Sequence, residues 1–245
     1  LSLQGVSKSY QKGGRRAVDN LDLEVRPGEI FGFLGPNGAG KTTTIKMIVG
    51  LLHPDTGRIT VNGRDVVTDP IGAKRQIGYV PDTAILYERL TGAENLELIA
   101  DIRRIDPATR RRRVSELAEM FELDHALSEL VQGYSHGMRQ KLALIAALMA
   151  EPALLILDEP MMGLDPRSNH LLKQTMRRHC DAGNTVFFST HILDVAERLC
   201  DRIGIIKEGR IVAVGTLDEL RSAGRQDASL ESIFLELTES GGDPV

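Results

Sequence analysis

The chain has 245 residues, of which 42% are hydrophobic and 26% charged, and its formal net charge is −4. This composition is typical of one large globular domain, or of a core with a subdomain, and its slight acidic excess argues against a general nucleic-acid binder. The two cysteines form no CxxC pair, which excludes a disulfide framework and favours a reduced compartment.

The N-terminal segment alternates polar and apolar residues as β-strands do. Strands are predicted at residues 1–4 and 21–25, with turns at Gly13-Gly14 and Pro27-Gly28. The first residues lack the continuous apolar core of a secretory signal, so we expect no such signal here.

Residues 35–42 read Gly-Pro-Asn-Gly-Ala-Gly-Lys-Thr, between an apolar strand at 29–34 and a helix at 43–50. In such a loop the backbone N–H groups surround phosphate oxygens, the lysine (Lys41) reaches the outer phosphates and the hydroxyl (Thr42) holds Mg²⁺. The helix N-terminus also favours an anion. The predicted triphosphate-binding residues are Gly35, Pro36, Asn37, Gly38, Ala39, Gly40, Lys41, Thr42 and Thr43.

The middle of the chain changes character. After short strands at 58–62 and 76–80, helices are predicted at 91–105, 107–121 and 134–150, within a mostly helical insert at about 85–150. The first of these helices has Thr91 as its expected cap, with Glu94 three residues on. The longest apolar run, residues 142–150, is about half of the roughly 20 residues that a membrane-spanning helix needs. We therefore expect no segment of this sequence to cross a bilayer alone.

Alternation of strands and helices then resumes. Predicted elements are a buried strand at 153–157, a helix at 167–180, a strand at 185–188, a helix at 192–200, a hairpin of 203–206 with 210–214, and an amphipathic helix at 230–237. Residues 239–245 are expected to form a frayed tail.

Two adjacent carboxylates, Asp158 and Glu159, close the strand at 153–157. Ligands of open α/β sheets lie at the carboxyl ends of the strands, so this pair is expected beside the phosphates. One carboxylate must hold Mg²⁺ and another must polarise a water for in-line attack. Asp158, nearer the strand, suits the metal, and Glu159 suits the water.

Ser189-Thr-His191 follows the next apolar strand. A histidine at this place can bond the γ-phosphate and register its presence. The residues expected to act in catalysis are therefore Lys41, Glu159 and His191.

Six elements in this order resemble the nucleotide-binding subunit of ATP-binding cassette (ABC) transporters over nearly the whole chain. They are Tyr10, the loop 35–42, the signature position 134–138, the strand 154–158 with Glu159, the loop 163–166, and His191. The resemblance implies a single ABC ATPase domain over residues 1–238. Its fold would be α/β, a P-loop NTPase (RecA-like) core with an N-terminal antiparallel β-subdomain and the helical insert. It also implies that ATP and Mg²⁺ bind and that Tyr10 stacks on adenine.

The sequence departs from the family pattern at two places. The usual signature is Leu-Ser-Gly-Gly-Gln; here Ser135 and Gly137 remain, and Tyr134, His136 and Met138 replace the other three. The resemblance implies that Ser135 and Gly137 contact the γ-phosphate held by an opposite subunit. Asp82 stands where the family often has a glutamine near the metal, so Asp82 joins Thr42 and Asp158 as an expected metal ligand.

The resemblance further implies an ATP-driven clamp of two subunits, either a homodimer or a dimer with a paralogue, on an integral membrane permease at the cytoplasmic face of the membrane. Residues 77–82, 86–91, 134–138 and 230–237 resemble bacterial export-type subunits for drug, polysaccharide, lipid or ion efflux. The alternative is a soluble ABC-type ATPase acting on ribosomes or DNA, although the chain has one cassette and no sustained heptads. A GTPase or small-molecule kinase is a third interpretation, but the sequence contains no Asn-Lys-x-Asp element that would recognise guanine. We expect no nucleic-acid partner.

Overall fold

The computed structural model describes residues 1–11, 14–161, 163–222 and 229–239. Its strands are β1 (Ser2–Ser9), β2 (Arg16–Glu24), β3 (Ile30–Leu34), β4 (Thr56–Val61), β5 (Arg64–Asp65), β6 (Ile77–Val80), β7 (Leu154–Asp158), β8 (Thr185–Thr190), β9 (Arg202–Lys207) and β10 (Arg210–Gly215). Its helices are α1 (Lys41–Ile48), α2 (Pro70–Gln76), α3 (Gly92–Arg103), α4 (Pro107–Met120), α5 (His136–Leu148), α6 (Pro166–Asp181), α7 (Leu193–Leu199), α8 (Leu217–Ser222) and α9 (Leu230–Glu239).

The N-terminal strands form an antiparallel sheet in the order β2-β1-β4-β5. Asn62 and Gly63 join β4 to β5, and both have positive φ (48° and 75°). A two-residue turn of this kind matches the twist of a tight hairpin. The predicted N-terminal antiparallel β-subdomain is therefore confirmed.

A second sheet carries the core of the fold, in the order β10-β9-β3-β8-β7-β6. All its pairings are parallel except that of β9 with the edge strand β10. Every residue of β3, β7 and β8 is buried, which explains why these strands read as apolar runs rather than alternating ones. Because parallel strands end at one edge, this sheet brings residues 35, 81, 159 and 191 to the same side of the molecule.

The predicted helices of the insert appear as α3, α4 and α5. Thr91 caps α3 by accepting a bond from the backbone N–H of Glu94, whose side chain accepts one from the backbone N–H of Thr91, so the predicted cap is present. Leu96, Phe121 and Leu144 belong to the same buried cluster as Leu157 of the sheet. The insert thus packs its apolar faces directly onto the core that ends at Asp158.

The structure corrects the helix predicted at 134–150. Tyr134 is extended (φ −72°, ψ 138°), and the helix begins only at His136, with Ser135 as its N-cap. The reason is tertiary, because the buried Tyr134 hydroxyl donates to the carbonyl of Ala126 at 2.6 Å. The sequence prediction also missed β5, α2 and α8, although Asp69 and Pro70 at the start of α2 are an ordinary cap signal.

Glu239 ends the last helix, and residues 240–245 of the predicted tail and Gly13 of the predicted turn lie outside the described residues. Helix α9 packs Leu230 and Ile233 into a cluster with Ile205 of β9. No helix in the described ranges has the length and apolar character needed to span a membrane. Both cysteines, Cys180 and Cys200, are free thiols.

Candidate active site

The loop between β3 and α1 has the geometry that anion binding requires. Gly38 and Gly40 have φ values of 78° and 110°, which non-glycine residues rarely adopt. Gly40 occupies the N-cap of α1, so no side chain covers the N–H groups of the first helical turn. A Cβ on Gly38 would meet no atom within 4 Å. The loop therefore presents backbone donors to open space.

Other members of the loop hold it in place. A Cβ on Gly35 would collide with the carbonyl of Ile206, so this glycine fits closely against β9. Ala39 is buried, and its carbonyl accepts a bond from the N–H of Gly209 at 2.8 Å. Pro36 and Asn37 are exposed at the tip. We infer that the loop is fixed at its base and accessible at its tip.

Lys41 folds back over this loop. Its Nζ donates to the carbonyls of Gly35 and Pro36, the latter at 3.2 Å, and the residue is buried. Burial lowers the pKa of the Lys41 ammonium, while the charges of Glu159 and Asp158 oppose that shift. The side chain is thus held by weak neutral acceptors that a phosphate oxygen can replace.

Asp158 ends β7 as a buried carboxylate. The Ser189 hydroxyl donates to its Oδ1, and the Thr42 hydroxyl also bonds to this carboxylate. Burial raises the pKa of Asp158, and the nearby charges of Asp82 and Glu159 raise it further, whereas the two hydroxyl bonds lower it. A cation placed here would relieve that repulsion.

Glu159 turns away from the strand because its backbone has a positive φ of 48°. Its N–H donates to the carbonyl and hydroxyl oxygens of Ser189, both at 3.2 Å, which fixes this conformation. Its Oε1 lies 3.0 Å from Nδ1 of His191, whose side chain is 54% exposed. Two of the predicted catalytic side chains are therefore in direct contact at the mouth of the site.

Tyr10 lies at the other end of the phosphate loop. Its hydroxyl and that of Thr43 are 3.2 Å apart, and the residue is 64% exposed. An exposed ring anchored beside α1 offers a face on which a base can stack.

Asp82 follows β6 at the same edge of the sheet. Its carboxylate is exposed and accepts from the N–H of Thr83 at 2.7 Å. Burial raises the pKa of Tyr79 to about 12, and the charges of Asp158 and Asp82 contribute to this shift. The charge of Asp82 also raises the pKa of Asp158, so the two carboxylates are near each other.

Ser135 and Gly137 lie at the start of α5. Ser135 is exposed and accepts from the N–H of Met138 at 3.2 Å. Within the described residues, no hydrogen bond connects Ser135 or Gly137 to the phosphate loop. The structure therefore connects Tyr10 with the loop at Thr43, and it brings Lys41, the carboxylates and His191 together.

The sequence analysis missed two residues of this site. Ser189 bonds both Asp158 and Glu159, and burial together with the charges of Asp158 and Asp82 raises the pKa of Tyr79. A polar residue at the carboxyl end of β8, next to β7 in the sheet, was the available signal for Ser189.

A family model described as ABC transporter matches residues 18–162, which is more than half of the chain. The chain belongs to the ABC transporter family. The daunorubicin/doxorubicin resistance ATP-binding protein DrrA of Streptomyces peucetius is 44% identical over 223 residues, covering 91% of this chain and 67% of that protein.

Two solved structures of ABC proteins resemble this fold. An ATP-binding subunit of an ABC transporter superimposes with a TM-score of 0.92 at 39% identity, over 96% of this chain and 98% of the other. A dimeric, post-hydrolysis cassette, MJ0796 bound to ADP and Pi, gives 0.79 at 28% identity, over 88% and 98%. The protein is accordingly the ATP-binding, ATP-hydrolysing subunit of an ABC transporter, a class that works as dimers with membrane components.

Proposed function

We propose that this ABC subunit binds MgATP between Tyr10 and the carboxylates at the end of β7, and that it drives an export permease by closing on a second subunit. The observation that carries the proposal is the contact of Glu159 with His191 at 3.0 Å, beside a phosphate loop with open space at Gly38. This arrangement supports the proposal that Glu159 acts as a base and His191 contacts the γ-phosphate at one anion site.

The donor set at this edge fits Mg²⁺. Thr42, Asp158 and Asp82 offer only oxygen atoms, which this ion prefers. In the part of the chain that the structure covers, no group of three or more His, Cys, Asp and Glu side chains forms a metal site. When bound together with the nucleotide, Mg²⁺ would neutralise charge on the transferred phosphoryl group.

In the proposed reaction, Lys41 exchanges its loop carbonyls for phosphate oxygens and the N–H groups of α1 hold the β- and γ-phosphates. Glu159 orients the attacking water and accepts its proton. As an imidazolium, His191 would donate from Nδ1 to Glu159, which keeps this carboxylate in place, and from Nε2 to the γ-phosphate. Catalysis then consists mainly of placement and charge stabilisation.

Ser135 and Gly137 complete the site of the opposite subunit in this proposal. Ser135 is exposed at the N-terminus of α5, where a hydroxyl and helix N–H groups can contact an anion. The dimeric state of the related cassette MJ0796 supports this role. Two subunits, either identical or paralogous, would thus enclose ATP between them.

The membrane partner is proposed to dock beside Asp82. Ile85 and Tyr87 are 89% and 62% exposed, so this segment presents large apolar side chains to solvent. Glu88 in the same segment pairs with Arg139 of α5 at 2.6 Å. A partner that moves this segment would therefore also act on α5, whose N-cap is Ser135.

Export is proposed as the direction of transport because two kinds of relatives of this chain have export-related names. DrrA is named as a drug-resistance protein, and others are named as Nod factor export proteins. An integral permease would then hold this subunit at the cytoplasmic face of the membrane. Mild detergent extraction and affinity capture of the native subunit should recover one integral membrane protein. Recovery of ribosomes or DNA in its place would support the soluble ABC-type alternative.

Replacement of Asp82 with glutamine should keep ATP binding but change coupling. The amide removes a charge that faces Asp158 and leaves the phosphate loop intact, so ATP affinity should stay within about threefold of the native value. Stimulation of hydrolysis by the captured membrane partner should fall. Nucleotide affinity and ATPase activity, with and without the partner, are the measurements. Asp101→Gln on the exposed side of α3 is the matched control, and loss of ATP binding in Asp82→Gln would contradict the assigned position.

A further inference from the structure

Gln140 is a buried amide without a hydrogen-bond partner. It lies in the second turn of α5, is 1% exposed, and neither its Nε2 nor its Oε1 bonds to another group. Asn95, another buried amide, accepts from the N–H of Tyr87 at 2.9 Å and donates to the carbonyls of Tyr87 and Thr91. An amide that is buried but unpaired costs free energy, so Gln140 needs an explanation that Asn95 does not.

Gln140 lies three and four residues after Gly137 and His136, on the same side of α5. Long side chains in a helix lean toward the preceding turn, which here contains His136 and Gly137. The carbonyl oxygen of Gly163 lies 3.1 Å from the position that a Cβ on Gly137 would take. Since Gly137 has no side chain, this carbonyl approaches α5 over the turn toward which Gln140 leans.

The loop that contains Gly163 contacts α5 and leads into α6. The His136 ring fills the place of a Cβ on Gly163, whose φ of 77° also favours glycine. Asp165 caps α6 through Ser168 and lies 3.8 Å from Nζ of Lys141. The loop thus contacts α5 on both sides of Gln140 along the chain, four to six residues after Glu159.

We propose that Gln140 is a positioning residue for ATP hydrolysis, whose amide bonds to the Gly163 backbone when two subunits close on ATP. This inference rests on the closure described above under the proposed function. In the nucleotide-free subunit the amide is unpaired, and in the closed dimer the bond transmits the position of Ser135 to the segment that follows Glu159. The unpaired amide costs free energy in the open state but not in the closed state, so Gln140 favours closure.

The test replaces Gln140 with methionine, which keeps the volume and removes both polar atoms. The unfolding midpoint of the nucleotide-free subunit should rise by roughly 2–6 °C, because an unsatisfied buried amide is removed. In the Glu159→Gln background, the dissociation constant of the ATP-bound dimer should increase roughly tenfold. The kcat of the variant with native Glu159 should fall similarly, and ATP affinity of the monomer should stay within about twofold since the phosphate loop is unchanged.

Leu144→Met, one turn further along the buried side of α5, is the matched control for repacking and should leave the dimer constant within about twofold. A lower unfolding midpoint for Gln140→Met would overturn the inference, since it would mean that the amide is bonded in the resting subunit. Unchanged dimer affinity and kcat would also overturn it. If the Glu159→Gln parent itself fails to dimerise with ATP, the proposed closure is wrong and the inference falls with it.

Discussion

Lys41→Ala is expected to reduce ATP hydrolysis by roughly 100- to 1000-fold, the cost of losing one fixed donor to a developing charge. Burial lowers the pKa of the Lys41 ammonium, and the charges of Glu159 and Asp158 oppose that shift. This cation of the phosphate loop therefore lies close to both carboxylates. Its removal should also weaken ATP binding, because a charge-assisted bond to phosphate is lost. Steady-state ATPase rates and binding of a fluorescent ATP analogue measure the two effects.

Lys46→Ala is the matched control for this change. Lys46 lies on the same helix, in its last turn, and is exposed. Its removal should leave hydrolysis within about twofold of the native rate. Because Lys41 is buried, thermal unfolding of both variants should be compared, so that loss of fold is separated from loss of chemistry. A folded Lys41→Ala protein with normal turnover would refute the role assigned to this residue.

Glu159→Gln should lower hydrolysis by roughly 100- to 10,000-fold, the range for loss of a general base, while the ATP-bound dimer accumulates. The amide cannot accept the proton of water, although it can still contact His191 at the present 3.0 Å separation. The change also removes one of two adjacent negative charges near the γ-phosphate, so ATP should remain bound. ATPase assays and sedimentation with ATP measure turnover and assembly.

Glu151→Gln provides a close control because Glu151 also has a positive φ, 47°, and precedes β7 where Glu159 follows it. Glu151 pairs with Arg113 on the surface, far along the strand from the phosphate loop. Surface pairs contribute little, so hydrolysis should stay within about twofold of native. If Glu159→Gln hydrolyses ATP as fast as Glu151→Gln, another group must be the base.

Local patterns predicted the parts of the site that depend on neighbours in sequence. The loop 35–42 needs only its own glycines, lysine and helix start, and Asp158 and Glu159 need only an apolar strand before them. The cap at Thr91 and the hairpin of β9 with β10 were predicted for the same reason. The order of these segments also supplied the family resemblance, which the family match later confirmed.

Contacts between distant segments were not predictable in this way. Ser189 meets Asp158 only because β8 lies beside β7 in the sheet, although 31 residues separate them. Tyr134 leaves the helix because its hydroxyl reaches Ala126, whereas its sequence neighbours favour a helix. The unpaired state of Gln140 depends on the packing around α5 and has no signature in composition or spacing. Such features require the fold before they can be recognised.

The central claim is that ATP is enclosed between two subunits, with Ser135 of one facing the phosphate loop of the other. A direct test mixes two chains in the Glu159→Gln background, one carrying Asn37→Cys and the other Ser135→Cys, and measures disulfide formation between them. Both positions are exposed, and the unsubstituted chain with Cys180 and Cys200 is the control. We predict a cross-link that requires both MgATP and the two introduced cysteines. Absence of the cross-link at every nucleotide and protein concentration, or equal cross-linking without ATP, would contradict the account.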